Sequence, residues 1–199
     1  MHRTILAVML FVALIAPSAA ATTLQNLQLA YGGESNASAR YAVFAEKAQE
    51  EGYPSVASLF RAAAKAEEIH ANNHAVMIKK LGAVPSTTIE KTVAKSTAEN
   101  LETAIKGEVY ERDVMYPEFL RVARDEGAES GVLRTFNYAH AAEAEHAKLY
   151  TEARKNLASL KNALETYYVC TVCGYTTTRL DFEKCPACAN PKDKYIAVS

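Results

Sequence analysis

The chain has 199 residues, 49% of them apolar and 23% charged, with a formal charge of −1, a balance that excludes a disordered chain. Its 22 Lys and Arg against 23 Asp and Glu form no basic block, which removes the electrostatic case for a nucleic-acid partner. The length suffices for one good-sized core plus a small appendage.

Residues 1–21, "MHRTILAVMLFVALIAPSAAA", carry Arg3, an apolar run from about Ile5 to Ile15, then Pro17 and small residues. This order reads as a secretory signal peptide cleaved near Ala20 or Ala21. The run is short for a membrane span, which takes roughly 20 apolar residues. The expected location is therefore periplasmic or otherwise exported, with no membrane contact after cleavage.

From Leu24 to about Glu51, the residues Leu27, Tyr31, Glu34, Ser38, Tyr41, Ala45 and Ala48 recur at steps of three and four, one face of a helix. Gly52 and Pro54 mark its end and the next start. A second stripe runs Val56, Phe60, Ala63, Glu67, His70, His74, Met77, Leu81. After a connection of about 82–96, a third reads Leu101, Ala104, Glu108, Glu111, Met115, Phe119, Val122. The fourth reads Leu133, Phe136, His140, Glu143, His146, Tyr150, Leu157. Acid and base pairs such as Glu46/Lys47 and Glu50/Glu51 read as a solvated face.

The two halves resemble each other. "EKAQEEG" at 46–52 parallels "RVARDEG" at 121–127, and Glu67/His70 parallels Glu143/His146. A duplicated helix pair is the simplest account.

Each of the four stripes turns a glutamate inward. Burying one ionised carboxylate without a partner costs several kcal/mol, on the order of the stability of a small domain. Five of them, with no inward Lys or Arg, call for cations. Residues at i and i+3 share a helix face, so Glu67 with His70, and Glu143 with His146, can each reach one metal centre. A glutamate from each of two helices plus Glu-x-x-His from each of the other two is the four-helix di-iron pattern. Here it is met by Glu34, Glu108, Glu67/His70 and Glu143/His146, with Glu111 as an extra carboxylate. The lone histidines His74 and His140 read as satisfied core residues.

The tail holds Cys170, Cys173, Cys185 and Cys188 as two C-x2-C pairs, eleven residues apart. Four thiolates in this spacing give a tetrahedral metal site rather than two disulfides. Spacing alone leaves iron and zinc equal. Tyr168, Tyr175, Phe182 and Tyr195 are the expected small core around it.

These motifs resemble those of the rubrerythrins: "GES" at 33–35, "EEIH" at 67–70, "GEVYE" at 107–111, "EAEH" at 143–146, and the two cysteine pairs. The resemblance covers about residues 24–197 and implies an all-α, four-helix ferritin-like bundle at 22–164. A small rubredoxin-like four-cysteine ribbon follows at 165–199, with a somewhat short loop between its cysteine pairs. It implies two Fe in the bundle and one Fe, with Zn as the alternative, in the ribbon. By resemblance Glu34 and Glu111 are terminal ligands of one iron, Glu108 and His146 of the other, and Glu67 and Glu143 bridge. His70 exchanges with Glu111 on reduction, and Tyr41 and Tyr116 are the tyrosines beside the ligands. The residues expected to take part in turnover are thus Glu111, His70, Tyr41 and Tyr116.

The implied activity is a non-haem di-iron peroxidase of oxidative-stress defence. Hydrogen peroxide is reduced to water, with electrons delivered through the rubredoxin-like iron. The resemblance also implies a homodimer with that iron facing the partner's di-iron site, and the long connection would permit helix exchange. No G-x-G-x-x-G segment is present, so a separate electron-donor protein is expected. The rival expectation is a ferroxidase, an iron-handling protein with a structural zinc ribbon.

Overall fold

A computed structural model describes residues 21–199 of the chain. The signal-peptide expectation falls on residues 1–20, outside the described residues. Among the described residues no helix is long and apolar enough to cross a membrane.

Helix α1, Thr23–Glu50, opens on a capping box. Thr22 Oγ1 accepts the Gln25 N–H while the Gln25 side chain accepts the Thr22 N–H, which satisfies two backbone donors that no helix turn can reach. Pro54 opens α2, Pro54–Lys80. A second capping box, Ser96 with Glu99, starts α3, Thr97–Tyr110. The Glu51 carboxylate at the end of α1 also accepts the Thr97 N–H at 2.9 Å. Glu51 therefore joins the two hairpins rather than lying on a merely solvated face.

The third stripe is not one continuous α-helix. Glu111–Met115 forms a π turn between α3 and α4, Tyr116–Asp125. The Tyr116 N–H reaches back to the Glu111 carbonyl, and Pro117 has no N–H to offer. The Arg112 carbonyl is thereby deprived of both its α and its π donor. His140 supplies one, its Nε2–H donating to Arg112 O at 2.9 Å. The half-buried His140 is thus no core residue but the partner of an interrupted helix.

Helix α5, Ser130–Lys155, completes the bundle. The hairpin α1–α2 faces the hairpin formed by α3, α4 and α5. Two apolar clusters fill the interior, one with Tyr41, Phe44, Phe60, Leu101 and Tyr150, the other with Leu27, Ile78, Tyr116, Phe119 and Phe136. Along α1 and α5 the glutamates fall between the stretches that feed the two clusters, and Glu67 of α2 lies at the inner end of the stretch that feeds the first. The polar layer is sandwiched between two dry ones.

The connection 82–96 runs back along α1. It is held by Gln28 Nε2 donating to Val84 O, by Asn36 Nδ2 donating to Thr88 O, and by Glu90 N donating to Asn36 Oδ1. These bonds fasten the connection to α1 over two turns and more.

The ribbon is an antiparallel sheet of order β2-β1-β3, with β1 Tyr167–Cys170, β2 Thr176–Thr177 and β3 Tyr195–Val198. Tyr175 and Tyr195 pack around the cysteines, joined by Tyr138 of α5, and Phe182 meets Tyr195. Tyr168 does not join them. Successive strand residues face opposite sides, and Tyr167 and Val169 on β1 are buried against the bundle core, while Cys170 is buried in the cage. Tyr168 is left half-buried.

Candidate metal centre

Glu34, Glu67, Glu108, Glu143 and His146 are 0% exposed and His70 1%. Two quartets of these side chains each bring one ligand atom per residue within 4.8 Å of the others: Glu34, Glu67, His70, Glu143, and Glu67, Glu108, Glu143, His146. Glu67 and Glu143 belong to both. The geometry gives those two glutamates a shared position and gives each quartet one private glutamate and one histidine.

Glu34 Oε2, Glu67 Oε1, Glu108 Oε2 and both Glu143 oxygens are buried without a hydrogen-bond partner, as is His146 Nδ1. Orphaned acceptors at this density cost about 1–3 kcal/mol each if left so, and they converge where two cations would satisfy them. Carboxylate and imidazole donors suit iron. The residues present fit the di-iron group.

Electrostatics on the protein alone say the same. Burial, then Glu67 and Glu143, pushes the Glu34 carboxyl well above the usual range. Burial, then Glu67, lifts Glu108 to about 8. Burial acts against a charged His70, but Glu143 and Glu67 outweigh it and raise His70 to about 10. Burial also opposes a charged Glu67, and the imidazoles of His146 and His70 beside it hold it down at about 2. These groups divide protons among themselves because each lacks a fixed positive charge.

The histidines point one nitrogen inward and one at the ribbon. His70 Nδ1 lies 2.8 Å from Glu67 Oε2 and 3.0 Å from Glu143 Oε1, and its Nε2–H donates to the Cys173 carbonyl at 2.9 Å. His146 Nδ1 lies 2.9 Å from Glu143 Oε2. Its Nε2–H donates to Thr176 Oγ1 at 3.1 Å, and that hydroxyl donates to Gly174 O. A metal-binding imidazole is normally oriented by the partner of its other nitrogen. Here the ribbon supplies that partner for both histidines.

Two tyrosines cross the bundle. Tyr41 of α1 donates to Glu108 of α3, and Tyr116 of α4 donates to Glu34 of α1. Behind Tyr116 stands His74, whose Nε2 is 3.0 Å from the Tyr116 hydroxyl and whose Nδ1 is 3.2 Å from Thr135 Oγ1. Since the Tyr116 proton goes to Glu34, His74 Nε2–H is the donor to Tyr116 and Nδ1 accepts from Thr135. Burial and nearby His70 pull His74 down to about 3, which keeps it neutral. Tyr150 occupies the corresponding place in the other half, four residues after His146, with its hydroxyl unpartnered. From Glu34 to Tyr41 is seven residues, whereas from Glu108 to Tyr116 is eight. In an unbroken α-helix eight residues would leave the second tyrosine about 80° off the glutamate's face. The π turn absorbs the extra residue and brings Tyr116 inward.

Glu111 stands apart from both quartets. It is half-buried and lines a cavity at α1, and burial with Glu34 and Glu108 pushes its carboxyl well up. In this structure His70, not Glu111, completes the quartet of Glu34.

The four cysteines are free, and their sulfurs lie within 4.8 Å of one another. Cys170 Sγ is 3.7 Å from Cys188 Sγ and Cys173 Sγ 3.6 Å from Cys185 Sγ. A tetrahedron with metal–sulfur bonds of about 2.3 Å has edges of about 3.8 Å. One iron or zinc ion fits this cage.

Comparison with known proteins decides the family. Residues 25–154 match the family model Rubrerythrin, and residues 168–196 match that of the rubrerythrin rubredoxin-like domain. The chain belongs to the rubrerythrin family. Rubrerythrin-2 of Clostridium acetobutylicum is 41% identical over 180 residues, covering 89% of this chain and 97% of the relative. Nigerythrin of Nitratidesulfovibrio vulgaris is 38% identical over 181 residues, covering 90% and 88%. The solved structure of fully reduced, all-ferrous nigerythrin superposes with a TM-score of 0.81 at 36% identity, over 92% of this chain and 90% of that one.

As a rubrerythrin the chain is an oxidoreductase with a ferritin-like di-iron site and a four-cysteine site for Fe or Zn. Sequence reasoning missed three residues that the structure brings to this rubrerythrin's site: Thr176, His74 as the partner of Tyr116, and His140 at the π turn. Pro117, nine residues after the Glu108 of "GEVYE" and inside the third stripe, was the available signal for the last of them.

Proposed function

We propose that this rubrerythrin is a peroxidase that reduces hydrogen peroxide to water, with electrons passing from the four-cysteine iron to the bundle. The observation that carries the reading is the contact of His70 with both modules, Nδ1 toward the carboxylates and Nε2–H on the Cys173 carbonyl. A purely structural ribbon has no need to end on a redox ligand. The iron pair, when bound, supplies the two electrons and the Lewis acidity that O–O cleavage requires.

The chain's own groups do the rest. Glu67 and Glu143 span the two quartets and fix their separation. Tyr41 and Tyr116 hold Glu108 and Glu34 by one oxygen each, leaving the other oxygen free to hold a metal ion. Glu111, on the cavity side, is the carboxyl that peroxide meets first. Exchange of Glu111 with His70 on reduction belongs to the same reading, since His70 already completes the quartet here while Glu111 faces the cavity.

The contact within one chain supports an electron path that does not require a partner. A homodimer is a further part of the proposal, supported by Val84, Ile89 and Val93, which stand 79%, 53% and 77% exposed on the connection. Export, and a donor protein outside the inner membrane, rest on the N-terminal sequence pattern.

The test is stopped-flow reoxidation of fully reduced, iron-loaded protein. Rapid return of the ferric-thiolate band with peroxide and slow return with dioxygen is expected. No band, or faster reaction with dioxygen, replaces this reading with a ferroxidase bearing a zinc ribbon.

A further inference from the structure

Of the seven carboxylates and imidazoles implicated at the di-iron centre, Glu111 alone is more than 1% exposed. It opens onto a cavity of about 1020 Å³ between α1 and the connection 82–96, far more than hydrogen peroxide needs. One end is apolar, with Leu24 and the exposed Leu29. At the other stands Arg40, which reaches over the Tyr41 ring at 5.6 Å and whose Nε is buried without a hydrogen-bond partner among the described residues.

Between them the wall is bare. A side chain built at Gly33 would meet nothing within 4 Å, and one at Gly32 would meet only Thr87. Gln28 and Asn36 are spent on fastening the connection. Glu90 lines the rim and is the one carboxylate besides Glu111 on the wall.

Leu24 and Arg40 are sixteen residues apart on one helix, about 24 Å, the length of an extended long-chain fatty acid. Glu34, whose charge acts most strongly on the Glu111 carboxyl, divides that span into about 15 Å on the apolar side and about 9 Å on the Arg40 side. A half-buried guanidinium whose Nε is left without a partner among the described residues is a strong reader of a carboxylate.

We propose that this cavity binds the hydroperoxide of a long-chain fatty acid, with the carboxylate on Arg40, the tail along Leu29 and Leu24, and the mid-chain hydroperoxide at Glu111. The inference rests on the peroxidase reading and names a second substrate class for the same centre. The reaction balances as ROOH + 2 e⁻ + 2 H⁺ → ROH + H₂O. The O–O bond breaks, two ferrous ions are oxidised, one proton goes to each oxygen, and the alcohol leaves with its carboxylate intact.

The test begins with binding, using oleate as an unreactive probe and titration calorimetry on the full iron-loaded chain. One oleate per chain is expected, with at least tenfold weaker binding in Arg40→Gln and in Gly33→Phe, and weak binding of uncharged oleyl alcohol. Gly33 is helical and faces open space, so Gly33→Phe keeps the fold, checked by circular dichroism and iron content. Turnover is then compared as the ratio of kcat/KM for linoleic acid hydroperoxide to that for hydrogen peroxide, which should fall at least tenfold in Arg40→Gln. Multiple oleates per chain, indifferent to both substitutions, mean surfactant adsorption and overturn the inference. Reduction of hydrogen peroxide without single-site oleate binding overturns the inference alone. Failure to reduce either peroxide overturns the peroxidase reading and this inference with it.

Discussion

The Nε2–H of His70 donates to the carbonyl of Cys173 over 2.9 Å, so that one imidazole touches both the carboxylate quartet and the cysteine loop. Gly174, the next residue, makes this approach possible. Its φ is +78° and a Cβ there would overlap His70 Nε2 and lie 2.8 Å from Cδ2. Gly174→Ala must therefore push the ribbon off α2, beyond the cost of about 1 kcal/mol or more for a side chain in the left-handed region. Four-cysteine metal loading should persist while return of the ferric-thiolate band after peroxide slows at least tenfold. An unaltered stopped-flow trace would mean that the His70 contact carries no electrons.

Sharing of Glu67 and Glu143 by both quartets sets the metal stoichiometry. Glu67→Ala or Glu143→Ala should lose both bundle irons, measured as metal per chain by emission spectrometry. Glu111 belongs to neither quartet in this arrangement, so Glu111→Ala should keep two irons and change turnover instead.

Metal-free protein should lose stability as pH rises. Glu34, Glu108 and Glu111 all have raised carboxyls, so the folded chain keeps protons that the unfolded chain releases near pH 4.5. His70, raised to about 10, contributes stability that is fully present below about 6.5 and lost as pH climbs through 10. In both cases the native state binds more protons, which makes the slope of stability against pH negative. Glu67, held down at about 2, and His74, held down at about 3, have the opposite sign, but the window of Glu67 closes at pH 4.5 and that of His74 at about 6.5, where three carboxyls and His70 outnumber it. The Tm of metal-free protein should thus fall between pH 5 and 10. Metal binding releases these protons, so the gap between iron-loaded and metal-free Tm should widen over the same range in calorimetry.

His140→Phe should cost about 1 kcal/mol in urea unfolding, because the Arg112 carbonyl loses its donor. Pro117→Ala restores an N–H that can reach that carbonyl, so the double variant should recover part of the loss. A double-mutant cycle with no coupling would show that His140 acts elsewhere.

The quartets were legible in sequence because a helix fixes side-chain direction through its period: once Glu67 and His70 are on one turn, they share a face. The cysteine cage was legible for a similar reason, since two C-x2-C turns leave the thiols little freedom. Placement of the ribbon was not, because nothing in residues 161–168 encodes which helices it meets. That depends on Tyr167 and Val169 finding the bundle core, a choice of strand parity that differs by one residue from the Tyr168 expectation. Nor could periodicity separate Glu111 from the inward row, since its departure follows from the π turn that begins at that residue.

The same turn says something about descent. If the two hairpins are copies of one ancestral pair, the seven residues from Glu34 to Tyr41 and the eight from Glu108 to Tyr116 differ by a single codon. A helix that gains one residue must either rotate everything after it by about 100° or swallow the surplus in a wider turn. This chain has done the latter, so Tyr116 still reaches Glu34 while the bulge carries Glu111 toward the cavity. One inserted triplet, accommodated locally, accounts for the point at which two once-equivalent halves took up different work.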